Sequence, residues 1–189
     1  MTYQRVLLIC LIFTCCLFCQ DEADKRIAPK AKKIASIKPL IKHNNTEKEK
    51  LSDYGFFKLP LANLEPTDQV VLYDLNTPLF SDYAFKKRFV YLPDSTKISY
   101  KNIGVMDFEN GSVFIKNFYY PKDFRKPEQE KRIIETRLLI KEDDAWKPLN
   151  YIWNEEQTKA ILNYVGKQEL VHWIDNEGTE KVFLMQSQI

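Results

Sequence analysis

From Gln20 to Ile189 the sequence contains no cysteine. That absence excludes a disulfide framework and a thiolate metal site in the body of the chain. There are only five glycines, and none forms a Gly-rich phosphate loop. Histidine occurs twice, at His43 and His172, so no H-x-H or H-E-x-x-H pair exists; nor does a G-x-S-x-G elbow. No helical period persists beyond a turn or two. Helical bundles, nucleotide-phosphate enzymes and histidine metalloenzymes are all poor matches to such a chain.

Aromatic residues are abundant: 12 Phe, 10 Tyr and 3 Trp among 189 residues. Flat side chains pack well on a pleated surface, which favours strands. All four cysteines, Cys10, Cys15, Cys16 and Cys19, lie in the first 19 residues. There Arg5 precedes a continuously apolar run from Val6 to Cys19. The run is shorter than the roughly 20 residues of a transmembrane helix. A basic start and a short apolar core instead predict a secretory signal peptide over 1–19. Ending in cysteine, it resembles a bacterial lipoprotein signal. Cys19 is then the lipidated residue, with Cys15 and Cys16 as alternatives because bulky Phe18 precedes Cys19. The implied location is the cell envelope of a Gram-negative bacterium, anchored to a membrane through the N-terminal lipid.

Residues 20–50 read as a basic, disordered tether: nine Lys or Arg, five Asp or Glu and no aromatic. Residues 51–189 carry 18 basic and 21 acidic residues, a net of −3, although the whole chain is +2. The folded part therefore has no basic footprint for nucleic acid.

Within 51–189, short alternating segments recur every 8–14 residues between turn signals such as Asn110-Gly111 and 143–144. This pattern predicts an all-β fold, a single antiparallel β-sandwich of jelly-roll-like type. In "KKRFVYLP", Arg88, Val90 and Leu92 share one face and Phe89 and Tyr91 the other. "KISYK", 97–101, reads as a short strand. In "KRIIETRLLIK", Ile134, Thr136, Leu138 and Ile140 share a face opposite Glu135 and Arg137. In "KPLNYIWN", Leu149, Tyr151 and Trp153 share a face.

Several residue groups invite a functional reading. Asp74, Asn76, Ser81 and Asp82, with Arg88 close behind, could hydrogen-bond a sugar or give oxygens to a hard cation. They also suit a turn, where Asp, Asn and Ser bond their own backbone. Lys86 and Lys87 read as solvated, and Arg88 as pairing inward with Glu135 or Asp82. Glu135 and Arg137 lie two apart on one strand and read as a structural ion pair. Trp146, Tyr151, Trp153 and Trp173 suit a core or a stacking platform. His172 reads as an ordinary strand residue. Asp143, Asp144, Glu155 and Glu156 fall in turns, and no paired-acid catalyst emerges. The chain is expected to have no catalytic residue and not to be an enzyme.

Four motifs follow one another in order. They are Asp74, Asn76, Pro78, Leu79, Ser81 and Asp82; Gly111 to Lys116; Glu135 to Leu139; and Tyr151, Trp153 and Asn154. Together they resemble the N-terminal, non-haem β domain of a family of secreted bacterial di-haem c-type cytochromes and conserved hypothetical proteins. The resemblance spans roughly Leu51 to Met185. It implies an accessory or binding module associated with electron transfer, with a c-type haem domain or protein as partner. Haem c itself needs C-x-x-C-H, which this sequence lacks. No cofactor is therefore expected in this chain, and haem belongs to a downstream region or a partner. The alternative is a free-standing surface lipoprotein that binds a carbohydrate or another ligand.

Overall fold

Alternating side chains and short turns produce a meander. The computed structural model describes residues 47–187 apart from 78, 95 and 99. The predicted signal peptide, its cysteines, His43, most of the tether and Pro78 lie outside the described residues. Six strands pair antiparallel in chain order: β1 (Val70–Tyr73), β2 (Phe85–Tyr91), β3 (Val113–Pro121), β4 (Lys131–Glu142), β5 (Ala145–Trp153) and β6 (Ala160–Leu162). Two more, β7 (Gln168–Ile174) and β8 (Glu180–Gln186), form a separate antiparallel ribbon. The all-β, antiparallel, sandwich-like class is as the sequence predicts. The connectivity is not that of a jelly roll, because every strand of the large sheet pairs with its predecessor and no long connection crosses over.

Local chemistry explains the joins. Asp143 and Asp144 connect β4 to β5 with φ of 48° and 59°. Two successive left-handed residues match the twist of a tight hairpin, and Asp tolerates them better than most residues. The described residues between 92 and 112 contain no strand, so the expected strand over 97–101 is absent. Tyr100, Ile103 and Val105 there are strongly exposed. Alternation without a neighbouring edge to pair with does not make a strand.

The large sheet buries one face completely. Phe89, Ile115, Leu138, Tyr151 and Trp153 point there, each at most 2% exposed. The segment 51–64 covers them through two short 3₁₀ turns, Leu51–Tyr54 and Leu61–Asn63, inserting Leu51, Phe56 and Leu64. Burying each such side chain contributes about 1.5–3 kcal/mol. The cover begins before the expected boundary at Leu51. Lys50 bridges Ile161, the Leu162 amide donates to the Glu49 carbonyl at 2.9 Å, and Lys147 pairs with Glu47 at 2.6 Å. Polar atoms on this face are satisfied. The Trp153 indole donates to the Thr136 hydroxyl (2.9 Å), which donates to the Asn117 side-chain oxygen Oδ1 (2.6 Å).

The opposite face is divided. At one end, β7 and β8 lie over Tyr120 and Ile134, contributing Val171, Trp173 and Met185 to a second small core. Beyond the ribbon the face carries the charged side chains of Arg88, Lys116, Glu135 and Arg137 and then an aromatic cluster of Tyr73, Phe108, Phe114 and Trp146. A β-bulge sets this boundary. Phe118 pairs with Glu135 but Tyr119 pairs with Ile133, so Ile134 is an extra residue in β4. Ile134 therefore packs in the second core, away from Leu138 and Ile140, with which simple alternation grouped it.

Candidate functional site

The connection between β1 and β2 ends in a tight turn at 81–84. The Ala84 amide donates to the Ser81 carbonyl at 2.7 Å, and Asp82 and Tyr83 both have positive φ, 45° and 64°. That conformation is unfavourable for side chains as large as tyrosine, so the surroundings must hold it. Two contacts do so. The Tyr120 hydroxyl donates to the Asp82 carbonyl at 2.7 Å. The Tyr83 ring lies 5.7 Å from Trp173 and 5.4 Å from Phe80. Burial chiefly, with Asp82 and Glu135 nearby, pushes the Tyr120 hydroxyl up to about 12, so it remains a donor.

Beneath this turn, on the polar part of the sheet, Glu135 is fully buried. Its Oε1 accepts from two Arg137 nitrogens, Nε at 2.7 Å and Nη2 at 2.6 Å. Its Oε2 accepts from Asn150 Nδ2 at 3.1 Å and from the Ser187 hydroxyl. Four donors thus saturate one carboxylate. Ser187 is positioned by a close approach at Gly166, where a Cβ would meet the Ser187 carbonyl oxygen at 2.5 Å. Gly166 also has φ of +83°, so glycine is required twice over.

Turn and sheet enclose a cavity of about 280 Å³ between them. Ser81 and Asp82 line one side, Lys116, Glu135 and Arg137 the other. A second cavity of about 310 Å³ shares Ser81 and Ala84 and is lined by Asp74, Phe80, Lys86 and Arg88. Two residue groups that are far apart in sequence, the 74–88 block and the Glu135/Arg137 pair, therefore meet around one pair of cavities. Arg88 is buried and pairs with Asp74 at 3.0 Å, not with Glu135 or Asp82. Those three lie on the same side of the sheet, but Glu135 is already engaged by Arg137. Asn76 is exposed and lines neither cavity. Among the described residues no three His, Cys, Asp or Glu side chains gather as metal ligands.

The remaining candidates take structural places. Tyr151, Trp153 and Trp173 are core residues, and half-buried Trp146 packs on Phe108 and Phe114. They form no shared platform, because Tyr151 and Trp153 lie on the opposite side of the sheet from the ribbon's Trp173. His172 is exposed on the outer side of the ribbon, 3.8 Å from Glu180. Asp143, Asp144, Glu155 and Glu156 lie in exposed turns. Sequence reasoning missed Lys116, Tyr120, Asn150 and Ser187. Lys116 carried a signal, since it alternates onto the same face as Arg88 and Arg137. Ser187 carried none, because a single serine after the last strand resembles any other.

No family model, no curated protein and no solved structure matches this chain.

Proposed function

We propose that this chain is an extracytoplasmic lipoprotein whose β domain is a ligand-binding module, with its site between the 81–84 turn and strands β3 and β4. One observation carries the reading: a strained turn and a fully buried, fully satisfied carboxylate are held around an accessible cavity. Burying Glu135 adds less stability than an apolar side chain of its size would. Buried charge and left-handed tyrosine both depart from what packing alone favours, and such departures gather at functional sites. The test is a thermal-shift panel on the full chain with neutral sugars, acidic sugars, amino acids and small organic acids. The expected result is a saturable rise in Tm with at least one class, diminished in Asp82→Ala. A flat response across the panel overturns the reading.

The resemblance to the non-haem domain of di-haem c-type cytochromes favours a second reading, an accessory module beside a c-type haem domain or protein. Asp74, Ser81 and Asp82 of the first motif, Lys116 of the second and Glu135 and Arg137 of the third all contribute to the two cavities. A C-x-x-C-H in the DNA following Ile189 supports this role; unrelated sequence there counts against it. The envelope anchor is tested separately. Labelled palmitate should enter the wild-type chain and not Cys19→Ala; incorporation that instead needs Cys15 or Cys16 reassigns the site.

A further inference from the structure

The binding-module reading leaves its ligand unnamed, and the charges around the cavity narrow the choice. Strand register sets three cations in a row: Arg88 of β2 is opposite Lys116 of β3, and Lys116 is opposite Arg137 of β4. Like charges directly opposite one another on a sheet repel. Carboxylates offset only the ends of the row. Asp74 serves Arg88, and Glu135 serves Arg137. In the middle, Lys116 Nζ stands 4.6 Å over the Phe118 ring centroid, and among the described residues no carboxylate lies within ion-pair distance of it.

A fourth cation, Lys86, is nearby and donates to the Leu79 carbonyl, a neutral partner. Both lysines are held below the usual ammonium range. Burial is the main cause for each, followed by Arg88; for Lys116, Lys86 and Arg137 add to the effect. Glu135 offsets this only in part: its charge favours the Lys116 ammonium through space, but it is the smallest of the influences there and its oxygens are already occupied by four donors, two of them from Arg137. Asp82 is the remaining carboxylate at the cavity, and it is exposed. A row of cations, Arg88 buried and Lys116 and Arg137 part-buried, with a centre only partly offset and opening on a cavity, is the arrangement that a bound anion completes.

We propose that the cavity at Lys116 binds an oxyanion group, a carboxylate, sulfate or phosphate, with Lys116 as its charged partner and Arg88 and Arg137 flanking. The proposal rests on the binding-module reading and specifies its ligand chemistry. About 280 Å³ lies at the small end of ligand clefts and suits one charged group with a small body such as a single sugar ring.

The test titrates the ¹⁵N-labelled full chain with sodium sulfate, phosphate, acetate and glucuronate at fixed ionic strength. Sodium chloride and neutral glucose are the controls. Saturable shifts are expected at amides 81–84, 115–117 and 135–137 with at least one oxyanion. Sulfate and phosphate separate a free inorganic ion from the carboxylate of an acid or acidic sugar. Lys116→Gln should weaken binding about tenfold or more, and Lys116→Arg should retain it. A melting curve for each variant shows that it is folded. Equal shifts with chloride, or unchanged affinity in Lys116→Gln, overturn the proposal. Glucose binding with no oxyanion response overturns it as well, while leaving the binding module intact. If the Tm panel and these amides are both silent, both readings fall.

Discussion

The two faces of the large sheet are built from the same strands by opposite means. One face is sealed by the segment 47–64 and is apolar, with Trp153, Thr136 and Asn117 bonded in a chain and the Tyr151 hydroxyl donating to the Lys48 carbonyl. The other is half covered by the β7–β8 ribbon and half open, with four cations and a buried carboxylate. The contrast separates two tasks. The first face supplies the stability that the second gives up to hold charge next to solvent.

Single substitutions and a change of pH test this contrast. The largest effect belongs to the sealed face. Phe89→Ala should destabilise by about 3–5 kcal/mol, measured by urea denaturation, because a fully buried ring leaves a cavity that the sheet cannot collapse to fill. A loss near zero would mean that the first face is not the chief source of stability. Glu135→Gln comes next, at about 1.5–3 kcal/mol. It stays below the cost of breaking a wholly buried pair because the Arg137 side chain is 39% exposed and can turn towards water.

Alkaline pH should then act in opposite directions on one group from each face, Tyr151 and Lys116. Burial, then the bond to Tyr54, raises the Tyr151 hydroxyl well above its usual 10.0. The fold favours its neutral form, so this contribution is complete below pH 10 and is lost as pH rises beyond it. Lys116 is lowered from 10.5, so its penalty is present at neutral pH and is relieved as pH climbs through its folded value towards 10.5. Tyr151→Phe should flatten the alkaline fall in Tm, and Lys116→Gln should remove the small opposing gain. Parallel behaviour of the two variants would contradict the contrast. The smallest effect is Lys116→Gln at neutral pH without ligand. It should stay within about 0.5 kcal/mol of wild type, or exceed it, since a repelled cation is removed.

Much of this arrangement was legible in the sequence. Period-two alternation set Phe89 opposite Arg88 within β2 and Leu138 opposite Arg137 within β4, and grouped Tyr151 with Trp153 in β5. What alternation cannot express is an irregularity. The bulge moved Ile134 away from its expected companions, and an alternating segment at 97–101 had no edge to join. Partnering was harder still. Arg88 chose Asp74 because the loop carries Asp74 over it, while Glu135 was saturated by Asn150 and Ser187. Those contacts span 15 and 52 positions. They depend on where the ribbon returns, which no local pattern encodes. The meeting of the 74–88 block with Glu135 and Arg137 was equally invisible, since it needs the register of three strands.

The extra residue in β4 has one more consequence. It gives the strand two successive side chains on the same side, Ile134 and then Glu135. The shoreline between dry interior and wet cavity therefore runs through a single peptide bond. Met185 stands on that shoreline too, packing on Ile134 in the dry core while lining the cavity. Whatever enters the cavity leans on the last strand of the ribbon, so occupancy should be felt as slower hydrogen exchange along β8, on residues the ligand itself need not touch.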